Sequence, residues 1–417
     1  MALVGERFDG HRFIGQAIAA GAVAAIVSEE GALPEGFPGF VVEDTRAALL
    51  DLAGVARRHF CGAVVAITGS AGKTTTKEFL AQILREARIG AVAATPLNEN
   101  NEIGVSKVLL GLEAEAVAVI EMGARNPDEI APLVAIARPQ IAILTNIGEA
   151  HIGVFGSSEA LARTKWQIFS TGARPVLSLA DATSRERYGS LHGPPIFCGL
   201  ATDAPISGVV RLVLEERMLL LLRSGHAEVC APLLKLPPGE HNVRNLLAAA
   251  GAAYALGVPL AKIAYAASRL TLPAGRYERL AGAGGVTLIH DAYNASPSGM
   301  IASLQTFAAE KGRRIVLLGS MAELGEAAPA AHRRVGAALA SVGAAHIVLL
   351  GEFAKELLVG AREAGVAEGC LTRVEDTEQA VTVLRGLLRP DDILLVKGSR
   401  AYRLERVIEA LKEEVPV

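Results

Sequence analysis

The chain has 417 residues, 51% of them hydrophobic and 20% charged, with a formal net charge of −3. Single cores rarely grow beyond about 250–300 residues, so this length points to two or three domains, and the composition excludes a disordered chain. Neither the net charge nor any basic tract supports nucleic acid as a partner, whereas small anionic ligands stay open because helix N-termini can hold them at any net charge.

Residues 1–59 read as helix "FDGHRFIGQAIAAG", strand "AVAAIVS", strand "GFVVED" and helix "TRAALLDLAGVARR", a block short for a complete domain. Residues 60–271 open with strand "AVVAITG" and continue with strands "AVAVIEM" and "QIAILTN", each followed by loop and helix. Between 174 and 236 the pattern shifts to shorter β-like pieces such as "RLVLEERMLLLLRSG". The apolar stretch "NLLAAAGAAYALGVPLAKIAYAA" is broken at Gly257-Val258-Pro259 and carries Lys262, so it reads as two packed helices and not as a membrane span. "LPAGRYERL", 272–280, reads as a linker. Residues 272–417 then alternate "VTLIHD", "RIVLLGS", "HIVLLGE" and "DILLVKG" with helices, as in a doubly wound domain. The expected fold is α/β in three domains, with mostly parallel sheets. Cys61, Cys198, Cys230 and Cys370 form no C-x-x-C pair, which disfavours a zinc ribbon and a disulfide framework. No signal peptide opens the sequence, so a cytoplasmic location is expected.

The stretch "AVVAITGSAGKTTTKEFLAQIL" places a glycine-rich turn between a β-branched strand and an amphipathic helix, the setting a phosphate loop requires. Its spacing is the shorter G-x-x-G-K-T, with Ile67 where the full pattern has another glycine. Gly69 and Gly72 let the backbone N–H groups of Ser70, Ala71 and their neighbours turn toward anionic oxygens. Lys73 adds charge, the Thr74 hydroxyl can hold Mg²⁺, and Thr75 is a second candidate.

Ligands of parallel α/β sheets sit beyond the carboxyl ends of the strands. On that rim the sequence puts Glu121 at the end of "AVAVIEMG", Asn146 as the last residue of "IAILTN", and His151. Glu121 suits Mg²⁺ or is an ordinary strand-end carboxylate; His151 is a less typical ligand. In "SSEALARTKWQIF", Leu161, Lys165, Ile168 and Phe169 share one helix face. Lys165 either snorkels from that stripe or is buried with a lowered pKa. A neutral amine could take up carbon dioxide as a carbamate, an anion able to bind metal.

In order, "TGSAGKTTTK", "NENNEIGVSKVLL", "EMGARNPDEI", "TNIGEAHIGVFGS", "RTKWQIF", "GEHNVRNLLAA", "AGRYE" and "HDAYNASP" resemble the Mur ligases over nearly the whole chain. The paired asparagines of "NENNEIGV" and the "DAYNASP" run are most similar to the branch that joins D-alanyl-D-alanine to UDP-MurNAc-tripeptide in peptidoglycan precursor synthesis. The resemblance implies a central P-loop-type ATPase domain, a C-terminal Rossmann-like ligase domain and ATP-dependent amide formation through an acyl phosphate. It implies that the loop from Gly69 to Thr75 holds the ATP phosphates, and that two Mg²⁺ ions bind, one at Thr74 and Glu121, the other at His151 and carbamylated Lys165. Lys73, Lys165 and His151 would then be catalytic. Asn242 and Asn245 would meet the adenine, Arg276 the phosphates and Asp291 the ribose, with Asn294 shaping the adjoining loop. Lys397 and Ser399, at the end of the final strand, are weaker substrate candidates.

Family members carry further strand-forming sequence before the counterpart of "LVGERFDGHRFIGQAI". The resemblance therefore implies that residues 1–59 are a shortened form of the UDP-sugar-binding domain. A monomer is expected. A folylpolyglutamate-synthase-like or other Mur-type ligase, and a nucleotide-binding homologue without activity, are the alternatives.

Overall fold

The structure is a computed structural model describing residues 1–5, 8–148, 152–207, 209–223 and 226–412. Among the described residues, nine strands form the central sheet, in the order 226–232, 218–223, 210–215, 196–200, 174–178, 141–144, 63–68, 117–121 and 92–94. It is parallel except where Met218–Arg223 joins Val210–Glu215 and His226–Pro232. The central parallel strands are buried along nearly their whole length, as strands covered on both faces must be.

Helices Lys73–Glu86, Glu240–Ala255 and Leu260–Ala267 cover one face, where Phe79, Ile83, Leu246 and Ile263 join the core. The other face carries Val105, Leu109, Ile130, Leu133, Leu161 and Ile168 from helices Glu102–Leu110, Ile130–Ala137 and Ser158–Trp166 and the turn after the last. Helix Thr45–His59 packs on this same layer: Ala53 is in its core, and Arg57 donates to the carbonyl oxygens of Ala137, Phe60 and Arg138. Before that helix lie two small sheets, Val4–Gly5 with Phe8–Asp9 and Ala25–Val27 with Gly39–Val41. Ala2, Ile14, Ala25 and Val27 make a separate small core there. The helix expected over "FDGHRFIGQAIAAG" is confined to a 3₁₀ turn and Ile14–Ala19, because Phe8–Asp9 pairs as a strand and the Asp9 carboxylate caps the turn.

The second large sheet runs 278–282, 286–291, 393–397, 314–319, 346–350 and 371–374, with helices on both faces. All its neighbours are parallel except the edge strand Glu278–Gly282. That strand is the end of "LPAGRYERL": the linker turns through Gly275 and Tyr277, both at positive φ, and then pairs with Val286–Asp291. Pro273 and Gly275 mask this edge strand in the sequence, and edges are where such residues are tolerated.

Candidate active site

Sheet register builds the first wall of the site. Ile67 pairs with Glu121 and Thr68 with Leu144, so three parallel strands end level with the start of the glycine loop. The loop is splinted from the third of these strands. Asn146 accepts from the Ser70 N–H through its backbone oxygen at 2.9 Å and from the Ala71 N–H through Oδ1 at 3.0 Å. Thr145 Oγ1 donates to Ala71 O at 2.6 Å. The amides from Gly72 to Thr75 then form the first turn of helix Lys73–Glu86, where N–H groups lack intrahelical acceptors and favour an anion. Both loop glycines have positive φ, 148° at Gly69 and 81° at Gly72. A Cβ on Gly69 would fall 1.9 Å from Thr145 Oγ1, and one on Gly72 2.2 Å from Asn245 Oδ1.

Lys73 donates to Gly69 O at 2.7 Å, which folds its side chain back over the loop. Burial lowers its pKa, with the Glu121 carboxylate opposing that shift and Arg276 adding to it. Glu121 is 1% exposed. Asn100 Nδ2 donates to its Oε1 at 2.7 Å and its own N–H donates to Thr95 Oγ1 at 2.9 Å, yet Oε2 is buried with no hydrogen-bond partner among the described residues. Such an oxygen beside a phosphate loop fits a divalent cation, since Mg²⁺ prefers carboxylate ligands and retains open positions for phosphate.

The second wall comes from the C-terminal sheet. Asp291 and Lys397 pair in register across adjacent strands, which puts both side chains on one face. Lys397 Nζ donates to Asp291 Oδ2 at 2.8 Å, and Tyr277 N–H donates to Oδ1 at 3.2 Å. Lys397 is thus engaged within its own sheet. Ser399 Oγ accepts from Ala401 N–H at 3.4 Å and closes the turn after the last strand. Asn294 Oδ1 accepts from the following N–H at 2.9 Å, which holds the loop after Asp291. Arg276 reaches across to the first wall, its Nη2 lying 3.4 Å from Thr74 Oγ1 and its guanidinium 4.3 Å from the centre of the Tyr293 ring. Its Nε is buried and has no partner among the described residues, and burial lowers its pKa against the raising effects of Asp291 and Glu121.

A cleft of about 910 Å³ joins these groups. Ser70 to Thr75, Glu121, Asn242, Asn245, Arg276, Asp291, Asn294, Lys397 and Ser399 all line it. Asn242 Nδ2 donates to Pro238 O at 2.9 Å, and Asn245 sits against Gly72. Lys165 does not line the cleft: it is 1% exposed, and burial together with the Lys73 charge lowers its pKa to about 7, with Glu129 opposing. His151 lies outside the described residues. The sequence reading assigned no role to Asn100, Lys77, Tyr293 or Arg400. Asn100 lies in the quoted "NENNEIGV" run and Tyr293 in "DAYNASP", which is the signal that could have found them.

Two family models match, the Mur ligase middle domain over residues 67–253 and the Mur ligase glutamate ligase domain over 275–400. The chain belongs to the Mur ligase family. The UDP-N-acetylmuramoyl-tripeptide–D-alanyl-D-alanine ligase of Escherichia coli is 34% identical, over 99% of this chain and 90% of its own length. A crystal structure of MurF from Acinetobacter baumannii superposes with a TM-score of 0.83 at 32% identity, covering 99% of this chain and 90% of that one. MurF from Thermotoga maritima, solved in complex with ADP, gives a TM-score of 0.79 at 28% identity, covering 98% and 92%. Among the described residues no helix is long and apolar enough to cross a membrane.

Proposed function

We propose that this chain joins D-alanyl-D-alanine to UDP-MurNAc-tripeptide at the expense of ATP, through an acyl phosphate, in peptidoglycan precursor synthesis. The observation that carries the reading is the pairing of a glycine-built phosphate loop with Glu121, a buried carboxylate with one unpartnered oxygen at the same strand rim. The nearly full-length similarity to ligases of that name supports the substrates, and the ADP complex of a relative supports the nucleotide.

The chemistry follows from the leaving group. An amine cannot displace oxide from a carboxylate at a useful rate. One oxygen of the tripeptide carboxylate attacks the γ-phosphorus of ATP, ADP departs, and an acyl phosphate results. The dipeptide amine attacks the acyl carbon and loses a proton, and phosphate leaves carrying the former carboxyl oxygen. The amides at the start of helix Lys73–Glu86 and the Lys73 ammonium would hold the β- and γ-phosphates, with Arg276 adding charge from the opposite wall. Asn242 and Asn245 would meet the adenine, and Asp291, held by Tyr277 and Lys397, the ribose.

Thr74 and Glu121 would hold one Mg²⁺, and His151 with a carbamate on Lys165 the second; the ions would neutralise charge on the phosphoryl oxygens. A pKa of about 7 leaves a large neutral fraction of Lys165, whose lone pair can bond to carbon dioxide with loss of one proton. Residues 1–59 would contribute to UDP-sugar binding, 60–271 would form the ATP-binding domain and 272–417 the ligase domain. The protein is proposed to work as a cytoplasmic monomer.

The test follows ¹⁸O in the tripeptide carboxyl group during turnover. One labelled oxygen should emerge in orthophosphate, and only when D-alanyl-D-alanine is present. Unlabelled orthophosphate would refute the acyl phosphate.

A further inference from the structure

If the acceptor is the dipeptide proposed above, it has two ends to place. Its amine must reach the acyl phosphate, and its carboxylate needs a cation, because a desolvated carboxylate without a partner is costly. Most cations of the cleft are paired with a carboxylate or turned toward the phosphate loop. Lys73 is folded onto the phosphate loop, Arg276 lies against Thr74, Lys397 pairs with Asp291 and Arg46 pairs with Glu102. Arg125 and Arg400 also line the cleft, and neither has a carboxylate partner among the described residues.

These two arginines stand on different walls. Arg125 follows the strand that ends at Glu121, whereas Arg400 follows the last strand of the C-terminal sheet. The base of Arg400 is fixed. Ser399 N–H donates to Ser320 O at 3.2 Å, and Arg403 N–H donates to Arg400 O at 3.1 Å. Its side chain is exposed, with the guanidinium 5.5 Å from the centre of the Tyr293 ring. Arg276 lies 4.3 Å from the centre of the same ring and reaches Thr74. Both guanidiniums therefore lie near one aromatic ring, Arg276 beside the phosphate loop and Arg400 on an exposed side chain.

An extended dipeptide spans about 7 Å, a single amino acid about half as much. With 5.5 and 4.3 Å to the shared ring centre, the two guanidiniums lie within about 10 Å of each other, so a dipeptide whose carboxylate is gripped at Arg400 can bring its amine toward Arg276 and Thr74. We propose that Arg400 binds the carboxylate of D-alanyl-D-alanine and so directs the dipeptide's amine toward the phosphate loop. Bidentate guanidinium–carboxylate geometry suits this role better than an ammonium would.

The test compares D-alanyl-D-alanine with D-alanyl-D-alaninamide, which lacks the carboxylate, at saturating ATP and UDP-MurNAc-tripeptide. The wild-type protein is expected to favour the carboxylate by about 10- to 100-fold in kcat/KM, the range of a charge-assisted hydrogen bond. Arg400→Ala should erase that preference by raising KM for the dipeptide, while turnover of the amide and KM for ATP hold, and Arg400→Lys should recover part of it. The proposal is overturned if Arg400→Ala keeps the preference, if it slows both acceptors equally, or if Arg125→Ala erases the preference instead. Absence of dipeptide-dependent phosphate release by the wild-type protein would instead defeat the ligase reading, and it is seen before any variant is made.

Discussion

Two lysines buried in the central body, Lys77 and Lys165, show how neighbours decide what a residue does. Lys77 is fully buried, and its Nζ donates to Thr95 O at 2.6 Å and Leu97 O at 2.8 Å, with Glu78 3.0 Å away. It thereby ties down the segment whose Thr95 hydroxyl and Asn100 amide hold Glu121. Lys77→Met should cost about 1.5–3 kcal/mol of stability, the range for hydrogen bonds to charged groups, and lower turnover through a displaced Glu121. Urea denaturation and steady-state rates read the two effects, and a variant equal to wild type in both would exclude the tether. Lys165 instead has its pKa lowered to about 7 by burial and the Lys73 charge. The unfolded chain holds that proton more tightly than the folded one. This side chain therefore favours the fold as pH rises from about 7 toward the ordinary lysine range, and that gain is lost as pH falls back. Its neutral fraction grows over the same direction. Labelled bicarbonate should therefore give a carbamate carbon signal by ¹³C NMR that strengthens between about pH 6 and 8 and is missing in Lys165→Gln. The same signal in the variant would exclude carbamylation at this position.

At the scale of elements, what could be read from the sequence was what is contiguous. The phosphate loop needs a strand, two glycines, a lysine and a helix in unbroken succession, so one stretch of chain displays the whole device. Glu121 was legible because a strand end can be recognised without knowing its neighbours. Lys77, Asn100 and Tyr293 were not, since their partners come from distant segments: Thr95 and Leu97 for Lys77, Glu121 for Asn100, Arg276 and Arg400 for Tyr293. Strand Glu278–Gly282 was hidden for a related reason: what makes it a strand is an edge on Val286–Asp291, not its own composition. Close helix contacts are equally silent in one dimension. Helices Ala328–Ala338 and Ala354–Glu363 approach backbone to backbone, and a Cβ on Gly336 would lie 2.1 Å from Leu357 O, one on Gly360 2.0 Å from Arg333 O. In an exposed helix Gly→Ala gains about 1 kcal/mol. Here the obstacles are main-chain atoms that cannot rotate away, and overpacking of that kind costs about 1–3 kcal/mol. Gly360→Ala should therefore lower the midpoint of thermal unfolding, and a raised midpoint would show that these helices can part without cost.

For the whole molecule, the question is what holds the two walls of the cleft in relation to each other. Arg276 is a link between them, yet it is an incomplete one. Its contact with Thr74 is long, its Nε is buried without a partner among the described residues, and burial disfavours its charge. A guanidinium left this way costs the apo protein free energy that an anion in the cleft would recover. Bound ATP should therefore stabilise the chain by more than its contacts with the phosphate loop alone provide. By mass action a ligand at a hundredfold excess over its Kd adds about 2.7 kcal/mol, and loss of one charged contact that weakens binding tenfold removes about 1.4 kcal/mol of that. Two readings of Arg276→Ala then separate in thermal unfolding with and without ATP. If the arginine serves the nucleotide, apo stability is kept or rises, because an unmet buried charge is gone, and the stabilisation by ATP shrinks. If it is a structural brace between the walls, apo stability falls and the ATP-dependent shift is undiminished. The unpartnered Nε favours the first outcome, and the second would mean that the walls are held together before any nucleotide binds.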